Sequence, residues 1–304
     1  MHVKTPISFR EKLFNAGLLI ETEVKGIYGF SEGFNYVIRF IDNIVSEMGF
    51  KDNAQSVRFP PVIKRSLVER CGYLEKFPHL AGTVYSFCGD DCAHAQMQLA
   101  MAAGDDPTNF QQPTDVMLTP AACYPIYPMI SELSPLPQGG VVFDVQSTCY
   151  RNEPSDDPVR MQSFRMREYV RAGEEMEVLE FRNVWMRRAQ EFCSELGLDF
   201  EIKVANDPFF GRSGRLLADN QRKNSLKYEL LIPVSNWEEP TACASFNYHE
   251  DHFGEIWSIR TATGNVAKSA CVSFGYERLA LALIAHHGTS INSWLPASVR
   301  AGMV

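Results

Sequence analysis

The stretch from Ser147 to Val170 reads STCYRNEPSDDPVRMQSFRMREYV and places four arginines around one loop, with Arg151 and Arg160 at its ends and Arg165 and Arg167 on the return. Guanidinium groups in such an array offer forked N–H donors to a polyphosphate or a carboxylate. As an ordinary surface hairpin the same charges would be solvated and worth little. A second candidate lies far downstream, where Gly275 precedes Arg278 and an apolar run from Leu279 to Ile284. An arginine in the first turn of such a helix adds its charge to the helix N-terminus, and both suit phosphate; alone, it reads equally as a solvated residue. The third candidate is Asp207 to Lys227, where Arg212, Arg215, Arg222, Lys223 and Lys227 outnumber Asp207 and Asp219. Gly214 and Asn220 weaken this segment as a free-standing helix, and its plain reading is a solvated connector between strands.

These groups need a scaffold, and the composition supplies one. The chain has 304 residues, 45% hydrophobic and 12% aromatic, enough to bury a large core. No repeat, low-complexity tract or linker interrupts it, so residues 1–304 read as a single domain. There is no apolar run near 18 residues and no basic, apolar leader, which argues against a membrane span or secretory signal and makes the cytoplasm the expected location. A net charge of −8 argues against a broad nucleic-acid footprint, while leaving room for a local basic patch. The eight cysteines are scattered, with no C-x-x-C pair, and are expected to be mostly buried thiols. Cys88 and Cys92, near Asp90, Asp91 and His94, have the look of a metal loop, but no second half with zinc-finger spacing follows.

The element pattern is mixed. The first thirty residues read as a short edge extension. From Ser31 as N-cap, Phe34, Val37, Ile38, Ile41, Val45 and Met48 recur at helical spacing up to Gly49. A strand from Ser56 to Phe59 then meets Pro60-Pro61. The region from Val62 to Gly139 is turn-rich apart from a short helix from Asp91 to Gly104. A helix from Glu174 to Gly197 follows the arginine hairpin. After it Phe200–Val204, Tyr228–Val234, Thr241–His249, Glu255–Thr263 and Ser269–Phe274 are strand-like, which predicts an α+β fold: an antiparallel sheet flanked by helices.

The pattern Tyr150-Arg151-Asn152-Glu153, a variable loop, and Arg165-x-x-x-Tyr169 resembles motif 2 of class II aminoacyl-tRNA synthetases. The run Ala270 to Leu279 resembles their motif 3, and the helix, strand and proline order from Ser31 to Pro61 resembles motif 1, which usually builds a dimer interface. The stretch Thr114 to Pro125 is similar to the element with which seryl enzymes meet their amino acid, with Cys123 where most have glutamate. Cys123, Glu168 and Cys271 are each ordinary alone, since a buried cysteine more often packs than ligates. Together they fall where the atypical seryl-tRNA synthetases of methanogens hold zinc. The motif 1 match begins near Ser31, which leaves no separate tRNA-binding domain ahead of it, and so the chain most resembles the amino acid:[carrier protein] ligases.

That resemblance implies activation of a small amino acid, such as glycine or alanine, by ATP, followed by attack of a carrier protein's phosphopantetheine thiol on the aminoacyl adenylate. It implies that Arg151 and Arg278 hold phosphates, that Glu153 and Tyr169 hold the adenine end, and that Arg160, Met161, Lys227, Ala242, Cys243, Ala244 and Ser245 complete the ATP site. Zinc on Cys123, Glu168 and Cys271 would hold the amino group. Magnesium is expected with ATP, although Thr241 stands where the family's strand opens with an acidic ligand. Arg212, Arg215 and Arg222 are the expected docking residues for an acidic carrier. The expected assembly is a homodimer, with no tRNA or membrane partner. A seryl-like, zinc-dependent aminoacyl-tRNA synthetase and a catalytically inactive regulatory paralogue are the other readings.

Overall fold

The structure, a computed structural model, describes residues 7–301. Seven strands form the main sheet, in the spatial order Gln55–Arg58, Val141–Tyr150, Ser163–Gly173, Lys268–Gly275, Thr241–Tyr248, Lys227–Ile232 and Glu201–Val204. Neighbours run antiparallel except the first pair, where Gln55–Arg58 lies parallel to Val141–Tyr150. The expected antiparallel sheet is therefore present, with a parallel edge.

Three helices cover one face of the sheet. Glu32–Gly49 is capped by Ser31, whose side chain accepts from the Phe34 N–H, and it buries Phe34, Val37, Ile38, Ile41 and Val45 as its 3.6-residue pattern requires. Glu175–Glu195 buries Trp185 and Phe181, and Tyr276–His287 is apolar on nearly every side. Together with Tyr169, Val272, Phe274 and Phe246 from the sheet they form the largest core cluster. On the other face, Ile126, Tyr127 and Ile130 of the Ile126–Glu132 helix pack with Phe253 and Trp257 over Val145, Val170 and Cys271. Part of that face stays open as a pocket.

One expectation changes. Glu255–Thr263 is not a strand: His252–Ile256 is a short helix, and only an isolated bridge joins Arg260 to Val266. Buried Phe253 and Trp257 stand four apart, which is helical spacing and not the alternation of a half-buried strand. The basic segment is a short ordered helix, Gly211–Lys223, between the strands Glu201–Val204 and Lys227–Ile232. A Cβ at Gly214 would collide with the Phe209 main chain, so the small residue lets the chain entering the helix pack against its first turn. The turn-rich stretch from Val62 onward also contains a second sheet, in the order Val62–Lys64, Gln111–Leu118 and Thr83–Phe87, with the Asp91–Ala103 helix beside it. The N-terminal extension is a helix, Phe9–Asn15, and the hairpin Leu19–Glu21 with Tyr28–Phe30. No helix among the described residues is long and apolar enough to cross a membrane.

Candidate active site

Strand register assembles the site. In one row across the sheet Glu168 pairs with Ser273, Ser273 with Ser245, and Ser245 with Glu229. In the next row Val170 pairs with Cys271, Cys271 with Asn247, and Asn247 with Lys227. Directly paired residues share a face, and so do residues two apart along a strand, so all of these lie on the face opposite the three long helices. Most of them line one pocket of about 370 Å³.

The phosphate-binding candidates converge there. Arg151 donates its main-chain N–H to the Gln162 carbonyl and its Nε to the Pro120 carbonyl at 3.2 Å, while its guanidinium carbon stands 5.5 Å from the Phe164 ring centroid. Arg278 donates Nε to the Val159 carbonyl at 2.9 Å and Nη1 to the Ala242 carbonyl at 3.0 Å. It thereby ties the loop between the hairpin strands to the strand carrying Ala242, Cys243, Ala244 and Ser245, all four of which line the pocket with Glu153 and Met161. Beside it, the buried Glu277 carboxylate accepts from the Arg165 N–H at 2.7 Å and from its Nε at 2.6 Å. Burial pushes the Glu277 carboxyl above its usual value even though Arg165 opposes the shift.

The ligand atoms of Cys123, Glu168 and Cys271 lie within 4.8 Å of one another, and all three residues are buried. The Cys271 thiol donates to Glu168 Oε1 at 3.3 Å, and the Cys123 N–H donates to Oε2. A hydrogen bond with Cys271 works to lower the Cys123 thiol pKa, but burial and the Glu168 carboxylate outweigh it; in Cys271 burial dominates, and both thiols sit above the ordinary value. Three acidic groups crowded into a dry corner form a set that a divalent cation would relieve. Two sulfurs and one carboxylate suit a borderline-soft ion.

Lys227 also lines the pocket. Its ammonium meets Asp207 at 2.6 Å and Glu229 at 2.9 Å. Burial alone would lower its pKa, but the two carboxylates raise it overall; Asp207, raised by burial, is brought below its ordinary value chiefly by Lys227. The ion pair is thus charged and fixed.

Two expected ATP contacts are not at the pocket. Tyr169 lies on the opposite face of the sheet, with its ring 4.3 Å from that of Trp185 and its hydroxyl donating to the Val45 carbonyl. A Cβ at Gly49 would fall on this ring, so Tyr169 is a packing anchor for the Glu32–Gly49 helix. The aromatic on the pocket side is Phe164, spaced from Arg160 as Tyr169 is from Arg165. Arg160 itself is exposed on the loop, outside the pocket lining. Alternation held the signal for the aromatic: Glu168 facing the site forces Tyr169 away from it.

Sequence reasoning also missed Lys76, Asp207, Glu229, Asn247, His249 and His252, which all line the pocket. Most come from short turns and helices without a motif of their own. Arg212, Arg215 and Arg222 are exposed on the Gly211–Lys223 helix, whose other side sends Leu217, Asn220 and Gln221 to the pocket rim. Arg222 is engaged by Asp219 and Asn206. Cys88 and Cys92 are exposed, and they join no metal-competent group among the described residues.

No protein-family model matches the chain. It is 48% identical over 249 residues to amino acid–[acyl-carrier-protein] ligase 1 of Bradyrhizobium diazoefficiens, covering 81% of this chain and 75% of that protein. To ligase 2 of the same organism it is 45% identical over 278 residues, or 90% and 82% of the two chains. The type-2 serine–tRNA ligase of Methanopyrus kandleri is more distant, 26% identical over 190 residues that make up 59% of this chain and 36% of that one. Among solved structures, the M. kandleri SerRS in its complex with A. aeolicus tRNASec superposes on 99% of this chain and 61% of its own, with TM-score 0.82 and 20% identity. Giardia lamblia prolyl-tRNA synthetase with prolyl-adenylate gives TM-score 0.70 at 13% identity, over 92% of this chain and 51% of that one. These structures establish a class II aminoacyl-tRNA synthetase fold, and the identity to the two Bradyrhizobium proteins places the chain in the amino acid–[acyl-carrier-protein] ligase family of enzymes.

Proposed function

We propose that the protein joins a small amino acid to ATP as an aminoacyl adenylate and passes the aminoacyl group to the phosphopantetheine thiol of an acidic carrier protein. The observation that carries this reading is convergence: Arg151 and Arg278, the Cys123-Glu168-Cys271 group and the inner side of a basic helix border one pocket.

In the first step an amino-acid carboxylate oxygen attacks the α-phosphorus and pyrophosphate leaves. Negative charge builds on the phosphate oxygens, and donors already locked in place stabilise it without reorganising. Arg151 and Arg278 fit that role, because main-chain carbonyls hold part of each guanidinium and leave other N–H groups for the ligand. Phe164, Met161 and Glu153 would receive the adenine end, and Lys227, fixed by two carboxylates, would meet the adenylate phosphate. Magnesium would arrive with ATP.

Zinc fits Cys123, Glu168 and Cys271, since three protein ligands leave a fourth position for a substrate amine. Bound there, it would fix the amino acid by its amino group. Tyr124, Tyr127 and Phe253 crowd the same end, with Tyr127 and Phe253 stacked at 3.7 Å, which supports a small side chain such as that of glycine or alanine. A homodimer formed through the motif 1 elements completes the reading.

An ATP–pyrophosphate exchange screen across the amino acids, with metal analysis of the same sample, tests it. Exchange with a small amino acid and about one zinc per chain are expected. Exchange with none, or active protein free of metal, would overturn it. The likeness to serine–tRNA ligases favours a second reading, aminoacylation of tRNA. The net charge of −8 weighs against it, and tRNA retention in a filter-binding assay would revive it.

A further inference from the structure

The second half-reaction needs a group to take the thiol proton, and none of the residues placed so far does so. Arg151, Arg278 and Lys227 are cations committed to phosphate, and Glu168 belongs to the metal group. One face of the pocket has no role yet. There His252, at the start of the His252–Ile256 helix, meets Lys76, at the end of the Tyr73–Lys76 helix, with His252 Nε2 3.4 Å from Lys76 Nζ. Both line the pocket and both are only partly buried.

The pair stands beside the basic helix. The Phe210 N–H donates to the Lys76 carbonyl at 2.9 Å, and Phe209 stacks on Phe77 at 5.1 Å, so the residues that open the Gly211–Lys223 helix rest on the turn that carries Lys76. A chain threaded in from a carrier on that helix would pass this pair before reaching the adenylate.

An ammonium only donates, so the contact requires Nε2 to be the acceptor and leaves the ring proton on Nδ1. Burial first, and then the Lys76 charge, depress the His252 pKa, against smaller opposing effects from the Cys71 main chain and Asp251. Burial likewise lowers Lys76, opposed by Glu75 and more weakly by Cys71 and Asp207. His249, the other histidine of this turn, is already engaged, with its Nδ1 3.2 Å from Ser269 Oγ and 3.4 Å from the Tyr127 hydroxyl, and desolvation drives its pKa down to about 3. Lys268 is occupied by Asp251 at 3.0 Å.

We infer that His252 is the general base of aminoacyl transfer, and that Lys76 beside it stabilises the thiolate as it forms. The inference rests on the adenylate reading above. As the thiol enters, Lys76 turns its ammonium from Nε2 to the sulfur; the freed His252 Nε2 takes the proton from the thiol, the sulfur forms a bond to the aminoacyl carbonyl carbon, and the carbon–oxygen bond to AMP breaks. AMP leaves with that electron pair, and the proton on His252 passes to solvent. A cation within reach of the sulfur lowers the thiol pKa and shares the developing charge.

Free pantetheine serves as the probe, with the full chain and whichever amino acid supports exchange. Exchange measures adenylate formation, in which no thiol takes part; single-turnover release of aminoacyl-pantetheine measures transfer. His252→Gln is expected to lower the ratio of transfer to exchange by on the order of 100-fold, the usual contribution of a positioned base. In the wild type, transfer should rise with pH through a pKa below the ordinary histidine value of about 6.5. In the variant that limb should vanish, leaving only the rise from ionisation of the free thiol, centred near about 8.5. Lys76→Met should lower the same ratio more weakly, with Lys76→Arg recovering part of it. Transfer unaffected in His252→Gln, or a wild-type profile that follows only the thiol, would overturn the assignment. Exchange falling in parallel with transfer would mark His252 as structural. Absence of exchange in the wild type would sink the adenylate reading first.

Discussion

Arg151 and Arg278 are half spent before any ligand arrives, because carbonyls of Pro120, Val159 and Ala242 hold part of each guanidinium. That is what a transition-state donor requires, since reorientation during reaction would cost what binding gains. Arg151→Ala should therefore slow ATP–pyrophosphate exchange by on the order of 100-fold or more, the typical loss for such a donor; exchange near the wild-type rate would make Arg151 structural. The aromatics give a paired test. Phe164→Ala should raise the KM for ATP by roughly 5- to 150-fold, the equivalent of about 1–3 kcal/mol of lost base stacking. Tyr169→Phe should leave that KM alone and lower stability by about 1 kcal/mol, the net worth of its hydroxyl bond to Val45. The opposite pattern would restore Tyr169 to the adenine site. At the proposed zinc ligands, Cys123→Ser and Cys271→Ser should each lose bound metal and exchange together, and a metal-free variant that still exchanged would separate the two.

At the scale of elements, what was legible tracked how much local chemistry each segment carries. The Glu32–Gly49 helix showed a cap and an unbroken apolar stripe, and it stands where those signs put it. The hairpin around Arg151 was equally plain, yet its inward aromatic was misplaced, because four-residue spacing fits both Arg160 to Phe164 and Arg165 to Tyr169 and only sheet alternation separates them. Glu255–Thr263 misled for another reason: its residues suit a strand, but tertiary burial of Phe253 and Trp257 selects a helix. Lys76 and His252 carried no signal, being brought together from 176 residues apart by the fold alone. The basic helix Gly211–Lys223 leads to a prediction at the same scale. It turns Arg212 and Arg215 outward, exposes Leu216 at 72%, and sends Leu217 and Gln221 to the pocket. An acidic carrier would be steered by such a face, and steering between exposed charges weakens with salt. Arg212→Glu with Arg215→Glu should slow transfer to the carrier at least tenfold while exchange persists, and wild-type transfer should slow as salt is added, on the order of one Debye length of screening being enough near 0.1 M. Transfer that ignores both changes would move the docking surface elsewhere.

The molecule as a whole is tied together behind the pocket by one buried guanidinium. Arg167 sits on the far face of the strand that presents Glu168, and its side chain is 6% exposed. It donates Nε and Nη2 to the two oxygens of Asp144 at 2.8 and 2.7 Å, and Nη1 to Asp42 at 2.9 Å and Ser46 at 2.6 Å. The Tyr276 hydroxyl donates to the same Asp42 carboxylate at 2.7 Å. Two sheet strands, the first long helix and the helix that carries Arg278 are therefore joined at a single point, opposite the chemistry. Desolvating these charges is costly and offsets what their pairing contributes; what the network does is penalise any arrangement that leaves one partner alone. Arg167→Met strands the 8%-exposed Asp144 side chain without its cation and should cost about 3–5 kcal/mol, read as a lowered denaturant midpoint. Adding Asp144→Leu removes the stranded charge and should recover a large part of that loss, a coupling that independent sites would not show. If the single variant unfolds at the wild-type midpoint, or if the double variant is less stable by the sum of the two single losses, the strands and helices are held in register by apolar packing alone.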